Sequence, residues 1–227
     1  MKKQIRVKFL DLLVVCLILS QAEAAEKIVK LPSPKYKSDT SAEEAIFKRR
    51  SIRRYKDEAL GLQEVSQLLW AAGGKTIDGV TGATRAYPSA GGIYPLEIYL
   101  VVGNVKGVSP GAYHYSWHDH TLSLRKEGDL RQELTAASLN QRMVLEAPVS
   151  LVFAAVYSRT TLRYGKRGEL RYVPMDVGGA GQNVHLQAES LGLGTVIIGA
   201  FSDRAVKKVL ELKDEEPLYL MPVGRPR

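Results

Sequence analysis

Cysteine is nearly absent from this chain, which has one among its 227 residues, Cys16. That residue lies in an apolar segment predicted to be removed from the mature protein, so no disulfide, thiol nucleophile or thiolate metal site is expected. No histidine pairs visibly with a serine in a nucleophile elbow, so a hydrolase triad is not indicated. A dinucleotide-binding turn is not indicated either, because Gly192 and Gly194 follow a predicted helix and precede a strand, the reverse of that motif.

Long apolar runs are scarce, and the one near the N-terminus covers only residues 9–19. Basic residues precede it and a small-x-small cleavage pattern follows at residues 22–24. This order predicts a signal peptide over residues 1–24 and export to the periplasm or another extracytoplasmic space. The run is too short to span a bilayer comfortably, so stable membrane insertion is not expected after cleavage. An uncleaved anchor or a wrongly assigned start site is the alternative.

The net charge is positive, at +8, and falls to +6 if residues 1–24 are removed with their four positive and two negative charges. A basic chain suggests nucleic-acid binding. Here the positive residues are spread along the chain and no recognised nucleic-acid motif appears. Anionic small molecules therefore suit the charge better, and the nucleic-acid alternative predicts a salt-dependent affinity for DNA.

The remaining chain is predicted to form an extended lead-in over residues 25–40 and one mixed α/β domain over residues 41–227. Helices are predicted at 41–49, 63–72, 129–137, 176–191 and 202–212, and strands at 97–102, 149–156, 195–198 and 218–223, with a hairpin over 112–126. Residues 74–84 are predicted to be a loop.

The helix predicted at 176–191 contains three glycines, Gly178, Gly179 and Gly181. Each costs about 1 kcal/mol of helix stability relative to alanine. Three such glycines indicate that another helix or a cofactor approaches this helix closely.

Metal binding is not expected, although three of the four histidines (His114, His118 and His120) lie close together in sequence. No cysteine accompanies them, and Asp119 would point elsewhere on a regular strand. A surface hairpin therefore explains them better than a metal site.

Two segments carry the strongest functional pattern. Residues 49–55 read Arg-Arg-Ser-Ile-Arg-Arg-Tyr, and residues 88–95 read Pro-Ser-Ala-Gly-Gly-Ile-Tyr-Pro. Arginine binds phosphate through paired planar donors, and glycines allow the backbone to approach a flat ligand. The two together indicate a phosphorylated planar cofactor. The alternative for the first segment is a solvated helix end, where cations favour the C-terminal dipole.

These segments, with Asp176-x-Gly178-x-x-x-Gln182-Asn183 and Pro222-Val223-Gly224, resemble the flavin-dependent nitroreductase superfamily, specifically its SagB-type (ThcOx-like) dehydrogenase branch. The resemblance covers about residues 41–225. It implies an α+β nitroreductase-like fold, in which helices flank a mixed central sheet. It further implies a homodimer with one FMN at each of two subunit interfaces.

The resemblance also implies roles for individual residues. Arg49, Arg50 and Ser51 would hold the phosphate and ribityl chain, and Arg53 would lie near the pyrimidine edge of the ring. Pro88, Ser89, Ala90, Gly91 and Gly92 would line the ring from the partner subunit. Gly199 and Ala200 would offer backbone N–H groups near flavin N5, and Gln141 or Asn140 would touch the ring. Arg225 or Arg227 would replace a basic phosphate ligand found further along other members.

Arg163 and Tyr164 stand where a Lys-Tyr pair is expected in SagB-type azoline dehydrogenases. Because arginine is effectively always charged, it cannot act as the general base that lysine could be. We therefore expect an FMN oxidoreductase with ping-pong electron or hydride transfer to a nitroaromatic, quinone or other flat acceptor, with Tyr164 and Arg163 as catalytic candidates. The alternatives are azoline (thiazoline or oxazoline) peptide oxidation, or a flavin-holding subunit without turnover.

Overall fold

The computed structural model describes residues 27–79 and 82–227, so the predicted signal peptide lies outside the described residues. The strands are β1 (Ile28–Lys30), β2 (Lys75–Gly79), β3 (Gly82–Arg85), β4 (Leu96–Val102), β5 (Gly111–Ser116), β6 (Thr121–Glu127), β7 (Val149–Ala155), β8 (Gly194–Thr195) and β9 (Glu216–Gly224). The helices are α1 (Ala42–Lys48), α2 (Leu62–Gly73), α3 (Arg131–Ala137), α4 (Arg142–Glu146), α5 (Tyr157–Tyr164), α6 (Val173–Ser190) and α7 (Asp203–Leu210). A 3₁₀ turn covers Ala90–Gly92 and a π-helical turn covers Gly168–Tyr172.

Seven strands form the central sheet, in the order β1-β6-β5-β4-β7-β9-β8. All the strand pairs in it are antiparallel, and a parallel bridge between Ser51 and Thr195 adds a parallel element beside β8. The sheet is therefore mixed and flanked by helices, as predicted. Both outermost strands are short, at three residues for β1 and two for β8.

Strand β7 lies inside the sheet, between β4 and β9, and is buried along its whole length. Its side chains alternate between two cores, as the period of two in a strand requires. Leu151 and Phe153 join the core that includes residues of α2 and α6, whereas Val152 and Ala154 join the core that includes residues of α3, α4 and α7. This double burial explains why residues 149–155 are continuously apolar.

Side-chain hydrogen bonds to the backbone mark where α1 and α2 begin. The Ser41 hydroxyl accepts a 3.1 Å hydrogen bond from the Glu44 N–H at the start of α1, which confirms that a helix begins at the predicted position. At α2 the Glu64 carboxylate accepts a 2.8 Å bond from the Gly61 N–H. Strand β1 pairs with β6, so the lead-in is part of the sheet.

The prediction of a loop at residues 74–84 was wrong, because β2 and β3 pair there as a separate hairpin. The hydroxyls of Thr76 and Thr84 lie 2.7 Å apart across the two strands. Such cross-strand contacts between β-branched residues stabilise a hairpin. The strand predicted at 195–198 is shorter than expected, since β8 ends at Thr195 and only an isolated bridge between Ile198 and Leu220 follows.

The glycines of α6 have different surroundings. A side chain at Gly181 would collide with the ring and hydroxyl of Tyr219 on β9, and that hydroxyl donates to the Val177 carbonyl. Gly181 therefore makes room for a strand residue of its own chain, which was not among the predicted reasons. A side chain at Gly178 would meet open space.

Within the described ranges no helix combines the length and the apolar character needed to cross a bilayer.

Candidate active site

The basic segment begins where α1 ends. The Arg50 guanidinium donates to the carbonyls of Phe47 and Arg49, both at 2.9 Å. In this structure Arg50 therefore caps the helix end, which is the alternative raised by the sequence. Its contact with phosphate stays a prediction.

The next residues are fixed to the edge of the sheet. Ser51 forms the parallel bridge to Thr195, and the Ile52 N–H donates to the Thr195 carbonyl at 2.9 Å. Ile52 packs so closely on Gly194 that a Cβ at that glycine would overlap it. Ser51 and Arg53 are exposed, and neither side chain has a hydrogen-bond partner within the described ranges. This anchoring holds the Ser51 hydroxyl and the Arg53 guanidinium at the β8 edge of the sheet.

The chain leaving β8 supplies exposed backbone at the same edge of the sheet. Gly199 and Ala200 are exposed, and open space surrounds Gly199 on its Cβ side. The Gln141 amide nitrogen donates to the Ala200 carbonyl at 2.8 Å and to the Ser138 carbonyl at 3.0 Å. The structure thus brings Gln141 and Ala200 together, with the Gln141 amide holding the backbone that follows β8.

His185 of α6 lies beneath the basic segment and was not singled out by sequence reasoning. It is buried, and its ring makes no hydrogen bond with the residues described. Burial, together with the nearby positive charge of Arg49, lowers the pKa of His185 to about 4. A neutral imidazole therefore lies beside Arg49 at neutral pH.

The loop at residues 88–92 is held by the first turn of α6. The Ser89 hydroxyl donates to the Asp176 carboxylate at 2.5 Å and accepts from the Tyr94 N–H at 2.9 Å. Burial raises the pKa of Asp176, while hydrogen bonds from the Ser89 hydroxyl and the Ala90 N–H oppose that rise. The Ser89 side chain is thus engaged in shaping the loop, and what remains for a ligand is the backbone and the small side chains.

The glycines of this loop take up a backbone conformation that few other residues adopt, with φ of 64° at Gly91 and 65° at Gly92. Both ends of the loop are fixed. The buried Arg85 donates to the carbonyls of Gly73 at 2.6 Å and Leu96 at 2.9 Å, and Asn183 of α6 donates to the Ala86 carbonyl at 2.7 Å. The loop is therefore preorganised in this chain.

Arg163 and Tyr164, at the end of α5, lie against this loop. A Cβ at Gly91 would come within 2.6 Å of the Tyr164 hydroxyl and 2.8 Å of Arg163 Nη1. Arg163 also stacks on the Tyr164 ring at 5.3 Å from its centroid, and the Tyr172 ring lies edge-on to Tyr164 at 4.9 Å. The structure thus brings these two candidates to the glycine-rich loop.

Arg225, the predicted C-terminal phosphate ligand, has other partners in this structure. Its guanidinium lies 2.8 Å from the Glu64 carboxylate and 3.2 Å from that of Glu58. Arg227 instead lines a cavity of about 360 Å³ with Arg53, Arg54, Arg142, Met143 and Glu146. Arg142 pairs with Glu146 there at 2.7 Å. The choice between the two C-terminal arginines stays a prediction.

The site residues form two groups at different points along α6. One group meets the helix at His185 and contains the basic segment, and the other meets it at Asp176 and contains the loop with Arg163 and Tyr164. Those two positions are nine residues apart on the helix, which is about 13 Å at 1.5 Å per residue.

The three clustered histidines have separate partners. The His114 ring lies 2.7 Å from the Glu97 carboxylate, the His118 ring lies 3.1 Å from that of Asp119, and the His120 ring contacts the hydroxyls of Ser66 and Tyr115. Among the residues described, no group of three or more His, Cys, Asp or Glu could hold a metal ion.

The chain is similar to known proteins in both sequence and structure. The model of the nitroreductase family matches residues 46–225. The protein MJ1384 of Methanocaldococcus jannaschii, which is named as a nitroreductase, is 46% identical over 183 residues, covering 81% of this chain and 90% of that protein. A crystal structure of a Ralstonia eutropha protein, also named as a nitroreductase, superposes with a TM-score of 0.75 at 28% identity and covers 90% of this chain and 91% of its own.

A more distant relative is the microcin B17-processing protein McbC of Escherichia coli. It is 27% identical over 133 residues, which make up 56% of this chain. The match spans 48% of McbC.

Proposed function

This chain belongs to the nitroreductase family, and from its site we propose that it is an FMN-dependent oxidoreductase. It would transfer electrons or hydride in ping-pong order from a small-molecule donor to a flat conjugated acceptor of the nitroaromatic or quinone class. The observation that carries this proposal is the anchoring of Ser51 to Thr195. That contact presents the basic segment beside the exposed backbone that follows β8.

The donor set of the first group fits FMN. Neither Arg49 nor Arg53 forms an ion pair with the residues described, so both charges remain available for a phosphate or an electron-rich ring edge. The open backbone at Gly199 leaves space for a flat ring to approach. One cluster of arginines suits one phosphate, which favours FMN over FAD.

FMN supplies hydride and electron transfer when it is bound, and the chain supplies position and electrostatics. Arg49 and Ser51 would bind the phosphate and ribityl chain. Arg53 would place a positive charge at the pyrimidine edge of the ring. Residues 88–92 would cover the ring with backbone and exclude water, since the Ser89 hydroxyl is engaged by Asp176.

The separation of the two groups along α6 supports a homodimer. If the loop of one subunit lines a ring held by the basic segment of its partner, each site needs both copies. Exposed apolar side chains near both groups, including Phe47 at 78% and Met175 at 65% exposure, are consistent with an interface. Export through residues 1–24 stays part of the proposal, and an exported enzyme would meet little NAD(P)H.

Azoline peptide oxidation is the second candidate, favoured by the position of Tyr164 on the glycine-rich loop and by the similarity to McbC. Removal of a proton and a hydride from an azoline requires a base beside the flavin. Arginine effectively never loses its proton and a phenol hydroxyl is a weak base, so neither Arg163 nor Tyr164 is suited to that role. We therefore place acceptor reduction first.

The test begins with the colour of the purified protein. A yellow dimer that releases one FMN per subunit and reduces menadione or nitrofurazone supports the proposal. The Arg49→Ala/Arg53→Ala double variant should lose FMN affinity, because hydrogen bonds to charged groups contribute about 1.5–3 kcal/mol each. Arg204→Ala, on the surface helix α7, is the matched control. A colourless protein that takes up no FMN would refute the proposal.

A further inference from the structure

Arg163 differs from Arg159 and Arg167, its neighbours along the chain, in having no acceptor among the residues described. Arg159 pairs with the Glu97 carboxylate at 2.6 Å. Arg167, just after the helix, donates to the Tyr172 hydroxyl at 2.9 Å. Arg163 is exposed, and within the described ranges its guanidinium makes no hydrogen bond or ion pair. Its charge is therefore available to a ligand.

The position of this charge is set by the loop. The guanidinium rests on the Tyr164 ring and lies against Gly91, in the middle of residues 88–92. A cation–π contact restrains a guanidinium without using any of its N–H donors. A planar carboxylate or a sulfonate that reached this loop would meet two parallel donors.

The surrounding surface is also positive. Residues 157–172 contain five cations, Arg159, Arg163, Lys166, Arg167 and Arg171, against one carboxylate, Glu169. All except Arg159 lie in the exposed stretch that ends α5 and forms the π-helical turn. Such a surface raises the local concentration of anions and repels cations.

We propose that the electron acceptor is anionic, a conjugated compound carrying a carboxylate or sulfonate, and that Arg163 binds that group and determines specificity. The inference rests on the proposed oxidoreductase function. Because Arg163 would bind the anionic group at the edge of the acceptor, the conjugated part remains free to lie over the cofactor ring. A neutral compound of the same shape would lack this contact.

The test compares 4-nitrobenzoate with 4-nitrobenzamide, which have nearly the same shape and differ in charge. The enzyme is reduced photochemically with EDTA as the electron donor and mixed with each compound. Conversion of the nitro group to nitroso takes two electrons from the reduced enzyme and two protons from solvent, and releases water. The reoxidation rate is measured at increasing concentrations of each compound. The concentration at half-maximal rate then reports binding, and the limiting rate reports electron transfer.

We expect Arg163→Gln to lower the preference for nitrobenzoate over nitrobenzamide at least tenfold. The change should appear in the nitrobenzoate concentration needed for half-maximal reoxidation, while the limiting rate stays the same. Arg163→Lys should retain part of the preference, because it keeps the charge and loses the paired donors. Arg171→Gln removes one exposed charge from the same surface and should change the preference less than twofold. An equal loss for both acceptors in Arg163→Gln, or no loss for either, would overturn the inference.

Calorimetry separates this inference from the proposed function. Wild-type protein with bound FMN should bind 4-nitrobenzoate more tightly than 4-nitrobenzamide, and Arg163→Gln should remove the difference. If the wild type reduced neither compound but showed this binding difference, the acceptor class would be wrong and the anion site at Arg163 would stand. If the compounds were reduced without any binding difference, the oxidoreductase would stand and the anion site would not.

Discussion

The Ser89 hydroxyl donates a 2.5 Å hydrogen bond to the Asp176 carboxylate, which joins the glycine-rich loop to the first turn of α6. The same carboxylate receives the Ala90 N–H. Asp176 is 5% exposed, so these two donors replace most of the water that an ionised carboxylate would otherwise bind.

Removal of this carboxylate should therefore loosen the loop. We expect Asp176→Ala to weaken FMN binding about tenfold, equivalent to about 1.4 kcal/mol. Asp176→Asn should be milder, because its amide oxygen can still accept a hydrogen bond. Fluorescence quenching of FMN on titration with each variant measures the effect. Wild-type affinity in Asp176→Ala would show that the loop does not depend on this contact.

His185 should make the stability depend on pH. Its folded pKa of about 4 lies below the value of about 6.5 expected in the unfolded chain, so the unfolded state binds more protons between these values. Stability is therefore lost as the pH falls through that window. From pH 7 to pH 5 we expect the wild type to lose about 1–2 kcal/mol more than His185→Leu does.

Urea denaturation at the two pH values gives this difference. His185→Leu keeps an apolar side chain in this buried position and has no group there that binds a proton, so the difference isolates His185. Parallel losses in the wild type and in His185→Leu would mean that another group causes the acid sensitivity.

Gly181 should tolerate no side chain, because Tyr219 occupies the space beside it. Overpacking a core commonly costs 1–3 kcal/mol, and the helical preference of alanine offsets up to about 1 kcal/mol of that. We therefore expect Gly181→Ala to lower the free energy of unfolding by about 1–2 kcal/mol. Adding Tyr219→Phe removes the hydroxyl that would collide, so the double variant should be less destabilised than the sum of the two single variants.

Gly178 offers the sharper test of the dimer. Its Cβ direction is open within one subunit, so Gly178→Leu should leave the protomer folded while blocking a partner that packs on α6. We expect an unchanged far-UV circular dichroism spectrum, a monomer by light scattering, and loss of FMN. A dimer that retains FMN would move the interface away from this face of α6.

Local sequence patterns predicted much of the fold, but they did not predict the parts that depend on contacts between distant residues. The helix predicted at 41–49 and the strand predicted at 149–156 match α1 and β7 to within a residue or two, because each reflects short-range chemistry. The hairpin of β2 and β3 was missed, since its glycine-rich sequence resembles a loop and its pairing shows only in the structure. Helices α4 and α5 were missed because they are short, at five and eight residues.

The candidate site shows the same limit. The composition of the arginine segment and of the glycine-rich loop indicated a function. The sequence around His185 indicates only that this residue lies on a helix. Its burial beside Arg49 arises from the packing of α1 on α6, which no local pattern encodes. The engagement of Arg225 by Glu58 and Glu64 likewise joins residues about 160 positions apart.

The shortness of β1 and β8 limits how copies of this protein can associate. A long exposed edge strand recruits strands from other molecules, and this leads to aggregation or to a continuous sheet across an interface. Here one edge offers three residues and the other two, with the second already bridged by Ser51. Assembly through the edges of the central sheet is therefore disfavoured, and a stable pair of subunits must associate through side chains on its helices.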